Sequence, residues 1–172
     1  FDGEIRRQLP VTTNRAILTD LTRAIEADRP DKKTDVRRVF PYLAAKIPRR
    51  SVVVILSDLL TNIEDILLGL QRFRYGRHDV LVLQVLDHDE IEFPFTDRTL
   101  FEGMEEINQE VLTDPQSLRQ SYLANLNAFI TRVRRSCLDN RIDYALFSTA
   151  DPIDRALTTF LATRMHLQRA KT

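Results

Sequence analysis

The sequence predicts an α/β fold of three layers: a mainly parallel sheet with helices on both faces and an inserted β-hairpin. Three observations carry this. The nearly continuous apolar runs in Ser51–Leu60 (SVVVILSDLL) and Asp79–Leu86 (DVLVLQVL) read as strands buried on both faces, as at the centre of a parallel sheet. Between them lies a helical pattern of crossover length, so the two strands form a right-handed parallel unit. A third run, Ile142–Ser148 (IDYALFS), follows a long amphipathic stretch and adds another parallel strand.

In chain order, Phe1–Val11 alternates loosely around Ile5 and Leu9, which predicts a short edge strand or hairpin. From Thr13, Ala16, Ile17, Leu21, Ala24 and Ile25 recur at helical spacing, with Thr12 or Thr13 as cap and Pro30 as stop. After the polar loop Asp28–Lys33, a second helical pattern runs through Val36, Val39, Phe40, Leu43, Ala44 and Ile47 and is closed by Pro48. Pro41 interrupts it, and because proline lacks an N–H and crowds the preceding turn, this helix is expected to kink or start late. Beyond the first strand, Thr61 and Glu64 form a capping box, Ile63, Ile66, Leu67, Leu70 and Phe73 supply an apolar face, and Gly76 is placed as a C-cap.

Ile91–Asp114 breaks this rhythm, and Arg98–Phe101 and Glu110–Thr113 around Gly103 read as the inserted hairpin. Pro115 behind Asp114 opens what should be the longest helix, with Leu118, Tyr122, Leu126, Phe129, Val133 and Cys137 on one side. Asp151-Pro152 caps a last helix that packs through Ala156, Leu157, Phe160 and Leu161.

The chain has 172 residues, 43% of them apolar, enough for one domain with a sizeable core. Its 25 basic and 25 acidic residues cancel, which argues against a general nucleic-acid binder and against attraction to an anionic membrane. The distribution is uneven: Phe1–Arg50 carries 12 Lys/Arg against 7 Asp/Glu, whereas Asp87–Asp114 carries 10 acids and only Arg98. The lone Cys137 forms no internal disulfide, which fits a reducing, cytoplasmic setting. No glycine-rich phosphate loop, nucleophile elbow or zinc-ligand spacing is present.

Polar residues end all three strands on one edge of the sheet, where ligands of open α/β folds bind: Ser57-Asp58, Asp87-His88-Asp89, and Ser148-Thr149 with Asp151. Such hard oxygen donors suit magnesium. Against this stands the structural alternative, in which Asp58 caps the following helix and Asp87 and Asp89 turn the chain. An enzymatic alternative is a magnesium-dependent hydrolase with Asp58, Asp87 and Asp89 as ligands and His88 as acid-base group.

The sequence resembles the von Willebrand factor A-like domain, and more narrowly the family named domain of unknown function 58. The resemblance lies in RRSVVVILSDLL at Arg49–Leu60, HDVLVLQVLDHDEIEFPF at His78–Phe95, LFEG at Leu100–Gly103, LTDPQSLRQSYLANL at Leu112–Leu126 and the closing IDYALFSTADPIDRALTTFLATR. It implies a single domain, residues 1–172, without the family's first strand and first helix, whose place would be upstream of Phe1, and with the hairpin inserted at 91–114. Phe1-Asp2 and Leu9-Pro10 resemble the second and third sheet strands.

In domains of that kind a divalent cation is held by a D-x-S-x-S motif, a threonine and an aspartate after the fourth strand. By position Asp58 matches that aspartate and Thr34 the threonine, while the D-x-S-x-S motif is absent. Magnesium or manganese is therefore expected in a longer form rather than in this chain. The resemblance also implies a non-enzymatic module that docks protein partners through a metal-bridged carboxylate at Asp58, in a family whose members often accompany AAA+ ATPases of the MoxR type. A strand edge left unpaired by the missing strand is expected to take a second copy or a neighbouring segment.

Overall fold

Three short apolar segments become strands because they are rich in Val, Ile and Leu and are separated by amphipathic helices that cover what the strands expose. The computed structural model describes residues 3–27, 34–96, 99–102, 110–113 and 115–169. In order they form α1 (Ile17–Ala27), α2 (Val36–Lys46), β1 (Val52–Ser57), α3 (Ile63–Tyr75), β2 (Asp79–Leu86), α4 (His88–Glu92), β3 (Thr99–Glu102), β4 (Glu110–Thr113), α5 (Pro115–Asp139), β5 (Asp143–Ser148) and α6 (Ile153–Arg169). Phe1-Asp2, the loop 28–33, Gly103 and Asp114, each given a role above, lie outside the described residues.

The main sheet has the order β1-β2-β5 and is parallel throughout, with Val52 opposite Asp79 and Leu81 opposite Asp143. The hairpin β3–β4 is antiparallel and separate, as the insertion predicts. Val53 and Ile55 of β1 and Val80 and Val82 of β2 lie on one face, in a cluster with Val39 and Phe40 of α2, Ile66 and Phe73 of α3, and Val133 and Cys137 of α5. Alternation along the strands puts Asp79 and Asp143 on the opposite face. There α6 is tied down by Arg164, which donates to both carboxylates, to Asp143 at 2.6 Å.

Several expectations are corrected. Among the described strands β1 pairs only with β2 and so stands at the edge of the sheet, and it is buried on one face only: Val53 and Ile55 are buried, but Val52, Val54 and Leu56 are 62%, 49% and 65% exposed. Five consecutive apolar residues do not reveal whether a neighbour exists on both sides. Residues 5–11 are not strand, although Ile5 packs on the core. α2 does not start late: its N-cap Asp35 accepts from Arg38 N–H at 3.2 Å, and the helix runs through Pro41. Burial of Val36, Val39 and Phe40 outweighs the one backbone bond that proline cannot make.

The N-cap of α3 is Asn62 rather than Thr61, its side-chain oxygen accepting from Glu64 and Asp65 N–H. On α1, Leu21 and Ile25 are exposed and only Ala24 is buried; on α6, Leu157 and Leu161 are exposed rather than packed. Two helix ends use a left-handed arginine where glycine is usual. Arg77 after α3 and Arg141 after α5 have φ of 60° and 57°, and His78 N–H and Ile142 N–H reach back to Phe73 and Cys137 carbonyls.

Candidate functional site

The carboxyl edge of the sheet collects the polar strand ends. After β1 the chain turns sharply through Leu59, a buried residue in the left-handed region at φ 60°. A branched side chain is disfavoured there, so the surroundings must hold it. They do so twice over: Ser57 Oγ accepts from Leu59 N–H at 3.1 Å, and Asp58 Oδ1 accepts from Leu60 N–H at 3.1 Å. The Asp58 carbonyl in turn accepts from the Gln84 side chain at 2.7 Å, and Gln84 Oε1 accepts from the Tyr144 hydroxyl at 2.7 Å. Fully buried Gln84 thus links the β1 loop to β5 across the middle strand.

The ends of β2 and β5 are joined by Asp87 and Thr149. Asp87 caps α4 in a capping box with Glu90, and its carboxylate accepts from Asp89 N–H at 2.9 Å and from the Thr149 hydroxyl at 2.8 Å. Thr149 Oγ1 accepts from His88 N–H at 3.1 Å. The backbone bond from Asp89 and the Thr149 hydroxyl hold the Asp87 carboxyl below its ordinary value. Asp87 therefore has a structural role, as the alternative reading expects, but as the cap of α4 rather than as a turn residue, and the cap expected of Asp58 falls to Asn62.

The predicted site residues stand as follows. Asp58 is exposed at the tip of the β1 turn, and Thr34 is half-buried in the loop before α2; no hydrogen bond among the described residues joins them. Asp87, His88 and Asp89 share one short helix start, and no three His, Cys, Asp or Glu side chains among the described residues are grouped as a metal would need. Asp58 and Thr34, one carboxylate and one hydroxyl, do not by themselves make up a magnesium site, because that ion keeps its waters unless several oxygens converge. Gln84 and Tyr144 are the residues the sequence reading missed. The signal for Gln84 was available: it is the one polar residue inside DVLVLQVL.

Cys137 is buried against the core, and burial pushes its thiol from 9.0 up to about 12. Burial likewise pushes the Tyr144 phenol from 10.0 to about 12, against the pull of Arg134. Both folded values lie above the unfolded ones, so the folded state holds protons that the unfolded state releases. Their contribution to stability is complete below pH 9, declines above it, and is lost as pH rises through about 12. An alkaline denaturation series is expected to show that decline, and in native protein at pH 7 the thiolate fraction should be lower by roughly a thousandfold than for an ordinary cysteine. Rapid native alkylation of Cys137 would contradict this.

An open, all-parallel sheet with helices and polar strand ends at its carboxyl edge defines a Rossmann-like α/β domain. The family described as protein of unknown function DUF58 matches residues 1–129, and the chain belongs to that family. No curated protein and no solved structure matches the chain. Among the described residues no helix is long and apolar enough to cross a membrane.

Proposed function

We propose that this domain is a von Willebrand factor A-like, non-enzymatic protein–protein interaction module that works with an AAA+ ATPase of the MoxR type, and that its contact surface is apolar. The observation that supports a contact role is the face of β1. Val52, Val54 and Leu56 stand exposed in a row on one face of β1, and apolar surface gathered in one place marks an interaction site rather than ordinary surface. The carboxyl edge supports the same reading, since Asp87, Ser57 and Thr149 are engaged in capping and turn hydrogen bonds.

The test is a direct binding measurement between this chain and a MoxR-type AAA+ ATPase, with magnesium and with chelator. Affinity is expected to be the same in both, while Leu56→Lys, at a position already exposed, weakens it by about tenfold. Absence of binding, or binding abolished by chelation, would contradict the proposal.

A further inference from the structure

β5 bounds the sheet on the side away from β1. Thr149 N–H donates to the Leu86 carbonyl at 3.0 Å, so by strand alternation the backbone groups of Phe147 and Ala145 also face β2, and those of Tyr144 and Leu146 face outward. Neither outward N–H and C=O pair has a hydrogen-bond partner among the described residues. The strand is nevertheless not bare, since Tyr144, Ala145 and Leu146 are all half-buried. A groove runs along it between the walls of α5 and α6, as two cavities of ≈ 450 and ≈ 310 Å³ that share Tyr144, Phe160 and Thr163. Half-buried backbone donors and acceptors in such a place need partners.

The charges of the lining say which partner fits. Arg164 and Asp143 neutralise each other at 2.6 Å, and of the remaining charges Arg134 and Arg155 outnumber Asp151. Both arginines are exposed, and neither is ion-paired among the described residues. Arg134, over the Tyr144 ring at 5.7 Å, lines the cavity at the Asp143 end of the strand, and Arg155 lines the one that reaches Phe147. A cation therefore stands near each end of the groove. Helical walls on both sides admit a single extended chain and exclude a sheet edge that carries helices of its own.

We infer that the β5 edge takes up an extended peptide segment of a partner protein as an added strand, apolar at its centre and acidic at its ends. Main-chain hydrogen bonds to Tyr144 and Leu146 hold it, and its alternate side chains meet Leu138 on the α5 side and Phe160 on the α6 side. This contact is separate from the one assigned to β1 and lies at the other edge of the sheet.

The experiment is fluorescence anisotropy with a labelled peptide of six alternating valines and threonines, the length of β5, flanked by two glutamates at each end. Binding in the micromolar range is expected. It should be at least about tenfold weaker when lysines replace the glutamates, or when prolines at the centre remove the N–H groups. Arg134→Glu with Arg155→Glu, both at exposed positions, should weaken it by about tenfold, and Thr163→Trp should fill the groove where the two cavities meet. Hydrogen exchange should show the bound peptide slowing the Tyr144 and Leu146 amides, while those of Ala145 and Phe147, already bonded to β2, stay as they were.

A glutamate-flanked peptide that does not bind overturns the inference, as does equal binding of the lysine-flanked one or binding that leaves the Tyr144 and Leu146 amides unprotected. If an arginine or tryptophan variant fails to fold, the peptide controls decide. Leu56→Lys should leave peptide binding unchanged, so failure here and failure of the β1 contact are told apart.

Discussion

Phe40→Ala is expected to cost about 3–5 kcal/mol, a large share of the 5–15 kcal/mol that holds a typical domain folded. Phe40 is 1% exposed and sits where α2 meets α3, edge to face with Phe73 at 5.5 Å. The opposite wall is Gly69, whose missing side chain makes the room: a Cβ there would stand 2.2 Å from Phe40 Cδ2 and 2.9 Å from Cγ. Gly69→Ala should therefore destabilise by about 1–3 kcal/mol, although alanine is the better helix former. In the Phe40→Ala background most of that cost should disappear, because the contacts with Cδ2 and Cγ go, the one with Cβ at 3.0 Å remains, and helix propensity contributes up to about 1 kcal/mol in the opposite direction. Urea denaturation of the two single variants and the double variant measures this coupling, and simple additivity would contradict it.

Gln84→Leu should cost about 0.5–1.5 kcal/mol for each part-buried hydrogen bond it removes. Two such bonds are at stake, those to the Asp58 carbonyl and from the Tyr144 hydroxyl. The loss should fall first on the Asp58 turn, which keeps Leu59 buried in a left-handed conformation. Adding Tyr144→Phe removes one of the orphaned groups, so the double variant is expected to be more stable than the sum of the single losses predicts. Thermal denaturation of the set checks this, and a fully additive double variant would show that Gln84 and Tyr144 do not act as a unit.

Where a segment carries its own punctuation, the sequence describes it well. DVLVLQVL becomes β2 at its predicted limits, Glu110–Thr113 becomes β4, and Gly76 caps α3. The long period through Tyr122, Leu126, Phe129 and Val133 becomes the longest described helix, with Cys137 on its buried side. What was not legible depends on partners distant in the chain. The apolar run of β1 looks the same in a central strand as in an edge strand, and only the strand order separates the two.

Leu21, Ile25, Leu157 and Leu161 keep helical spacing yet stay exposed, since periodicity names a face without naming what covers it. Arg141 hides the end of α5 because a left-handed residue at that place is usually glycine. At the site, Asp58 stood out from its place after a strand, whereas the Gln84 bridge joins residues 26 and 60 apart in sequence. Arg164 is likewise visible only once β2 and β5 lie side by side.

The claim on which the functional reading turns is that the exposed apolar face of β1 is a contact surface for an AAA+ ATPase of the MoxR type. Residue-resolved hydrogen exchange with and without that ATPase tests it directly. Added ATPase should slow exchange across Val52–Ser57, and Leu56→Lys, at an exposed position, should remove that protection. Exchange across Val52–Ser57 that the ATPase leaves unchanged, with protection appearing elsewhere on the chain, would contradict the account.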